Sequence, residues 1–188
     1  EDAITYNDDG GTTIGGLSDG TTYYIARKTG DRFNLSTTSN YVASTATIFS
    51  QSSRTYVDLS SNYVYTGASN SGITTGDCVE YISTNPIVGL KSGALYFVRD
   101  VFGTERYYTF HPTAADAAAN TNVIDLVAYG SGQGTIRQTN IVDLTSAPAG
   151  ETQSFAANFV GAADGIYAVE TTADNQLSFT LGTDSTIT

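Results

Sequence analysis

The sequence predicts an all-β protein made of tandem small β-meander or sandwich-like repeat modules, with short strands and many Gly/Asp turns. Three observations carry this. Thr, Val, Ile and Tyr are strand formers and are abundant, and the aromatic set is 13 Tyr and 8 Phe with no Trp. Charged residues are only 14%, too few to clothe the outer faces of long amphipathic helices, which draw on Glu, Lys and Arg. Finally, the chain repeats itself with a period of roughly 70–75 residues, longer than a solenoid unit of about 20–50, so each copy reads as a small domain.

The first copy opens with Asp2-Ala3-Ile4-Thr5-Tyr6, whose alternation marks a half-buried strand. Asn7-Asp8-Asp9-Gly10-Gly11 is a turn. Ile14-Gly15-Gly16-Leu17-Ser18-Asp19-Gly20 leads through a tight turn into the strand Thr22 to Ala26. Thr29-Gly30-Asp31 turns the chain into a strand over Phe33 to Ser36. The second copy matches in order: Asp77-Cys78-Val79-Glu80-Tyr81, the turn Ser83-Thr84-Asn85-Pro86, then Ile87-Val88-Gly89-Leu90-Lys91-Ser92-Gly93. Strands at Leu95 to Arg99 and Tyr107 to His111 follow, joined by the turn at Gly103-Thr104.

Between the copies, Tyr56 to Leu59 and Asn62 to Tyr65 read as connecting strands. The alanine-rich stretch Thr113 to Asn120 reads as one short helical turn, and Gly130-Ser131-Gly132-Gln133-Gly134 as a flexible turn before a strand over Thr135 to Gln138. Val57-Asp58-Leu59-Ser60-Ser61 recurs loosely as Val142-Asp143-Leu144-Thr145-Ser146, which places the start of a third, divergent module there, with strands at Gly165 to Val169 and Leu177 to Thr180. The expected modules are residues 1–59, 60–140 and 141–188.

A formal charge of -11 repels nucleic-acid phosphates and anionic lipid head groups. The single cysteine, Cys78, permits no internal disulfide. The sequence contains neither an apolar run of membrane-spanning length nor a signal-peptide pattern, and it does not open with Met. The chain is expected to be a piece of something larger.

Each residue type that could carry chemistry also has an ordinary structural role. Cys78 aligns with Ala3, so a buried strand position is favoured over a nucleophile. The only histidine, His111, aligns with Ser36 at a strand end. Patterns of the HExxH, CxxC and GxSxG type are absent from the sequence. Asp8, Asp9, Asp19 and Asp31 sit beside glycines in turns, where Asp bonds its own backbone. Calcium held by Asp8, Asp9, Asp58 and Asp77 is the one cofactor to weigh against no cofactor at all. Arg27, Lys28 and Arg32 form a small basic cluster on an edge. The aromatic pairs Tyr23-Tyr24, Tyr96-Phe97 and Tyr107-Tyr108 are the candidate interface residues. Strand neighbours point to opposite faces, so one of each pair is expected to enter the core and the other to face out, toward a subunit or a glycan.

The string Thr75-Gly76-Asp77-x-Val79-x-Tyr81, followed by Gly-Leu-x-x-Gly, an aromatic pair and an alanine-rich turn, resembles repeats in tail-fibre and other virion structural proteins of tailed phages, especially marine, cyanophage-like ones. Similar repeats occur in very large bacterial surface proteins. The resemblance spans roughly residues 1–140. Pro86 and Lys91-Ser92 depart from it, and the third module lacks the full motif. It implies a non-enzymatic spacer or display module at a virion surface or outside the cell. Such a module would be homo-oligomeric, with a trimer favoured. Its expected partners are other virion structural proteins or a cell-surface glycan, with no nucleic acid and no membrane insertion. A capsid decoration protein, a bacterial adhesin repeat and a tail-borne glycan depolymerase are the alternatives.

Overall fold

The computed structural model describes residues 2–29, 32–48, 50–51, 54–55, 57–67, 71–130, 134–146, 153–157, 167–171 and 177–181. In chain order its elements are β1 (Ala3–Asn7), β2 (Thr22–Thr29), β3 (Arg32–Ser36), β4 (Val42–Ile48), β5 (Ser50–Gln51), β6 (Arg54–Thr55), β7 (Val57–Asp58), β8 (Tyr63–Tyr65), β9 (Cys78–Ser83), β10 (Leu95–Asp100), β11 (Tyr107–His111), α1 (Ala114–Ala119), β12 (Gly134–Thr139), β13 (Ser154–Ala157), β14 (Tyr167–Thr171) and β15 (Leu177–Leu181). The fold is all-β, as expected. Gly30, Asp31, Tyr56, residues 131–133 and the expected strand start Gly165-Ile166 lie outside the described residues.

The chain forms two compact units, residues 1–41 with 140–188 and residues 42–139. These cut across the three segments drawn from sequence. Strands of 141–188 share a sheet with the first repeat, and residues 42–59 fall in the second unit.

In the first unit the sheet order is β13-β1-β2-β3-β15-β14, with every neighbour antiparallel. The alternation read from sequence sets its inner face: Ile4, Tyr6, Tyr23 and Leu35 are buried with Ile14, Leu17 and Val142. Burial of each such side chain stabilises by about 1.5–3 kcal/mol. The register slips between Ala26 and Thr29, where Arg27 takes a positive φ of 40°. This bulge bends the end of β2.

In the second unit the order is β4-β12-β9-β10-β11-β8-β7. Val79, Tyr81, Val98, Tyr108, Phe110, Val64 and Ile136 fill its inner face. The opposite face is covered in part by α1, which packs against β10 and β11. Thr113 caps the helix: its Oγ1 accepts from the Asp116 N–H at 3.1 Å and its hydroxyl donates to Asp116 Oδ2 at 2.7 Å. At the other end Arg99 Nη1 donates to the Ala117 and Ala118 carbonyls at 3.2 and 2.9 Å, satisfying acceptors a helix leaves open.

The same contacts recur at matching residues of the two units. The hydroxyls of Tyr6 and Tyr81 accept from the N–H groups of Ile14 and Ile87 at 2.9 and 3.0 Å. Those of Tyr23 and Tyr96 accept from Ser18 and Lys91 at 3.0 and 2.8 Å. Each Gly-Leu-x-x-Gly turn is closed by a later segment. Val142 N–H donates to Leu35 O at 2.9 Å, and Ile124 N–H donates to Phe110 O at 2.8 Å. A Cβ on Gly16 would lie 2.0 Å from Asp143 O, and one on Gly89 would lie 2.1 Å from Asp125 O. The structural counterpart of Val142-Asp143-Leu144 is therefore Ile124-Asp125-Leu126 rather than Val57-Asp58-Leu59. In the second unit 12 residues, including α1, separate β11 from Ile124; in the first unit the whole second unit sits between β3 and Val142.

Candidate interaction surface

The aspartates singled out in the sequence are engaged in turns. Asp8 Oδ1 accepts from Gly10 N–H at 3.0 Å and Oδ2 from Thr13 Oγ1 at 2.8 Å. Asp19 Oδ1 accepts from Asp8 N–H at 3.0 Å. Asp58 Oδ1 accepts from the Ser60 and Ser61 N–H groups at 2.9 and 3.1 Å. The Ser60 hydroxyl on Asp58, joined by these amides, holds its carboxyl below the usual range. Asp77 Oδ2 accepts from Thr74 N–H at 2.6 Å and from Gln138 Nε2 at 2.7 Å. Asp9 is exposed with a φ of 51°. Among the described residues, no three His, Cys, Asp or Glu side chains gather where they could hold a metal ion. Asp31 and the side chains of Lys28 and Arg32 lie outside the described residues.

Cys78 is buried in β9, on the face opposite the Val79–Tyr81 core. His111 is fully buried; its Nε2 lies 2.9 Å from Thr109 Oγ1 and its Nδ1 lies 2.7 Å from Thr121 O. It ties β11 to the loop after α1. Glu80 is buried on the same face and paired with Arg137.

The aromatic pairs divide in three ways. Tyr23 is buried and Tyr24 is half-buried on the other face. Tyr108 is fully buried, with Ser71 Oγ 2.7 Å from its hydroxyl, which donates to Ile73 O at 2.9 Å; Tyr107 stays half-buried on the outer face. Burial pushes the Tyr108 hydroxyl up to about 12. Tyr96 packs on the core, yet Phe97 is also buried. The expected outward residue of that pair does sit on the face opposite the core, but it is buried there, on the face where α1 packs.

Tyr107 belongs to a cluster that no local pattern in the sequence assembles. Its ring centroid lies 5.5 Å from Tyr63, 4.9 Å from Tyr65 and 5.1 Å from Phe102. Tyr63 and Phe102 meet edge-on at 6.0 Å. Tyr63 and Tyr65 share one face of β8 by strand alternation, and Tyr65 is the register partner of Tyr107. The Tyr63–Tyr65 spacing is the part of this signal that the sequence carries. Phe102, in the β10–β11 loop, is 59% exposed. Asp58 is hydrogen-bonded to Tyr63; burial first, then that carboxylate, raises the Tyr63 hydroxyl above its ordinary range. The positions of the first unit that match Tyr107 and Tyr65 by register are Arg32 and Ser178. The cluster therefore belongs to one unit and is not demanded by the scaffold the units share. Compared with family models, curated proteins and solved structures, the chain matches none.

Proposed function

We propose that this chain is a non-enzymatic virion structural module, a tail-fibre or baseplate-associated pair of β units that spaces and displays a recognition surface in host attachment. The observation that carries the binding part of this reading is the Tyr63–Tyr65–Phe102–Tyr107 cluster. A half-exposed aromatic group that the fold does not require is surface kept for contact. The turn aspartates support a scaffold role, since their carboxylates already bond backbone. The virion part of the reading rests on the repeat motif around Asp77 to Tyr81 and Gly89 to Gly93.

The test is immunogold electron microscopy, with antibody to this chain, on the lysate or cells that produce it. Gold on phage tails is the expected result. Gold on heads replaces the tail reading with capsid decoration, and gold on cell envelopes without particles replaces the virion reading with an adhesin.

A further inference from the structure

The rings of Tyr63, Phe102 and Tyr107 stand nearly perpendicular to one another. The interplanar angle is 89° between Tyr63 and Tyr107, 77° between Tyr63 and Phe102, and 85° between Phe102 and Tyr107. Tyr63 and Tyr107 are half-buried and Phe102 is largely exposed, so the group meets solvent. This orientation selects the shape of a ligand. A flat ligand such as a sugar ring stacks along one plane, and perpendicular planes offer it one ring at a time. A compact cation is attracted by the negative face of each ring whose centroid it approaches to about 6 Å. With centroids 5.1, 5.5 and 6.0 Å apart, one cation seated over the group lies within about that reach of all three.

The charge around the rings has the sign such a ligand needs. Asp58 is hydrogen-bonded to Tyr63, and the Ser60 hydroxyl with the Ser60 and Ser61 amides keeps its carboxyl ionised. These donors are uncharged, so the negative charge beside Tyr63 is not cancelled. In the loop that carries Phe102, Glu105 also bonds backbone, accepting from Gly72 N–H at 2.9 Å. The neighbouring guanidinium groups do not offset them. Arg99 donates to the Ala117 and Ala118 carbonyls. Arg106, whose carbonyl extends the β8–β11 pairing to Thr66, precedes Tyr107 and points to the opposite face by strand alternation. The whole chain carries a charge of -11, which draws cations toward it.

We propose that the Tyr63–Phe102–Tyr107 cluster binds an alkylated ammonium group, of the choline or methylated-amine class, with Asp58 as the fixed counter-charge. The rings supply cation–π attraction and methyl contact, and the carboxylate supplies the preference for a cation over an uncharged group of the same shape. The inference rests on the display reading only in taking this cluster as a contact surface, and it names the chemistry contacted.

The test titrates the full chain into choline and follows the choline N-methyl signal by proton NMR. Dimethylbutanol with a tert-butyl head, the uncharged carbon isostere of choline, is titrated in parallel. The expected result is a saturable upfield shift of the N-methyl signal, with the isostere bound at least about fivefold more weakly. Phe102→Ser should weaken choline by roughly two- to fivefold, the share of one exposed ring. Asp58→Asn keeps an oxygen for the Ser60 and Ser61 amides and should weaken choline but not the isostere. Equal binding of choline and the isostere overturns the proposal, as does a choline shift that both variants leave unchanged, or no shift at all. A shift with methyl glucoside and none with choline overturns it in favour of a glycan. Adsorption of particles carrying Phe102→Ser separates this inference from the display reading. Lost adsorption without choline binding removes the cation and leaves display standing; choline binding with unchanged adsorption supports the site and removes its part in attachment.

Discussion

Replacing Gly89 by Ala tests how the Gly-Leu-x-x-Gly turn is closed. Gly89 has a φ of +114°, and a Cβ there would lie 2.1 Å from Asp125 O and 3.4 Å from Leu126 Cα. Both neighbours are backbone of the closing segment, which cannot rotate away as a flexible side chain would. The positive φ costs roughly 1–3 kcal/mol, and displacing a packed segment costs about 1–3 kcal/mol more. A total of about 4 kcal/mol is a large share of a stability of roughly 5–15 kcal/mol. Gly93→Ala is the internal control, since Gly93 also has a positive φ, +81°, but nothing lies within 4 Å of its Cβ position. It should cost only the backbone term, about 1–2 kcal/mol. Urea unfolding followed by far-UV circular dichroism compares the two. Equal midpoints for Gly89→Ala and Gly93→Ala would refute the close approach of residues 124–126 to the turn.

Tyr81→Phe removes the acceptor of the Ile87 N–H and should cost about 1–3 kcal/mol in the same assay; Tyr96→Phe, whose partner Lys91 is exposed, should cost less. Tyr108 gives an alkaline limit. Its hydroxyl is raised from 10.0 to about 12, so the unfolded chain loses this proton first; stability is intact below pH 10 and falls between pH 10 and 12, by on the order of 1–2 kcal/mol. Tyr108→Phe should flatten that part of a urea-midpoint profile. At the acid end, the Thr113 hydroxyl, then Asn122 and Thr121, hold the Asp116 carboxyl below 3.8; its contribution is present above that value and is lost as pH falls through the lowered one, so Asp116→Asn should lose part of the acid dependence. Phe102→Ser should leave stability within about 0.5 kcal/mol while weakening attachment of the parent particle to cells, measured by adsorption rate; unchanged adsorption would remove the cluster from the recognition surface.

The strands were legible in the sequence because alternation is a local signal: Ile4 and Tyr6, or Val79 and Tyr81, mark their own inner face. The turn glycines were legible too. The closing segments were not. Val123 to Ala128 joins no named strand and pairs through the isolated Val88↔Ala128 bridge, so it lacks a strand-length pattern, and the resemblance of Ile124-Asp125-Leu126 to Val142-Asp143-Leu144 only acquires meaning once both are seen against a glycine. Phe97 lies on the expected face yet is buried there, for a similar reason. Period-2 reasoning names the face of a residue, but whether that face meets water depends on α1, a tertiary fact. The aromatic cluster combines two strands and a loop, and only the Tyr63–Tyr65 spacing was local.

The shared tyrosines explain why the units keep aromatic residues that are not surfaces. Tyr6 and Tyr81 span from a strand to a turn and end on a backbone N–H that no strand neighbour can reach. A Phe would fill the same volume and leave the donor buried and unpaired. A shorter hydroxyl residue would satisfy neither need. Tyr23 and Tyr96 make a like bond four residues on, to the exposed Ser18 and Lys91, so two hydroxyls and two positive-φ glycines mark each turn. Exposed residues outside that set and outside the two buried cores can diverge at little cost to the fold. The β10–β11 loop and the outer face of β8 lie outside it, and there the second unit carries Phe102, Tyr63 and Tyr65. Recognition is therefore expected to vary at this edge while the turn tyrosines stay fixed, and substitutions at the two sets should separate: loss of stability for one, loss of contact for the other.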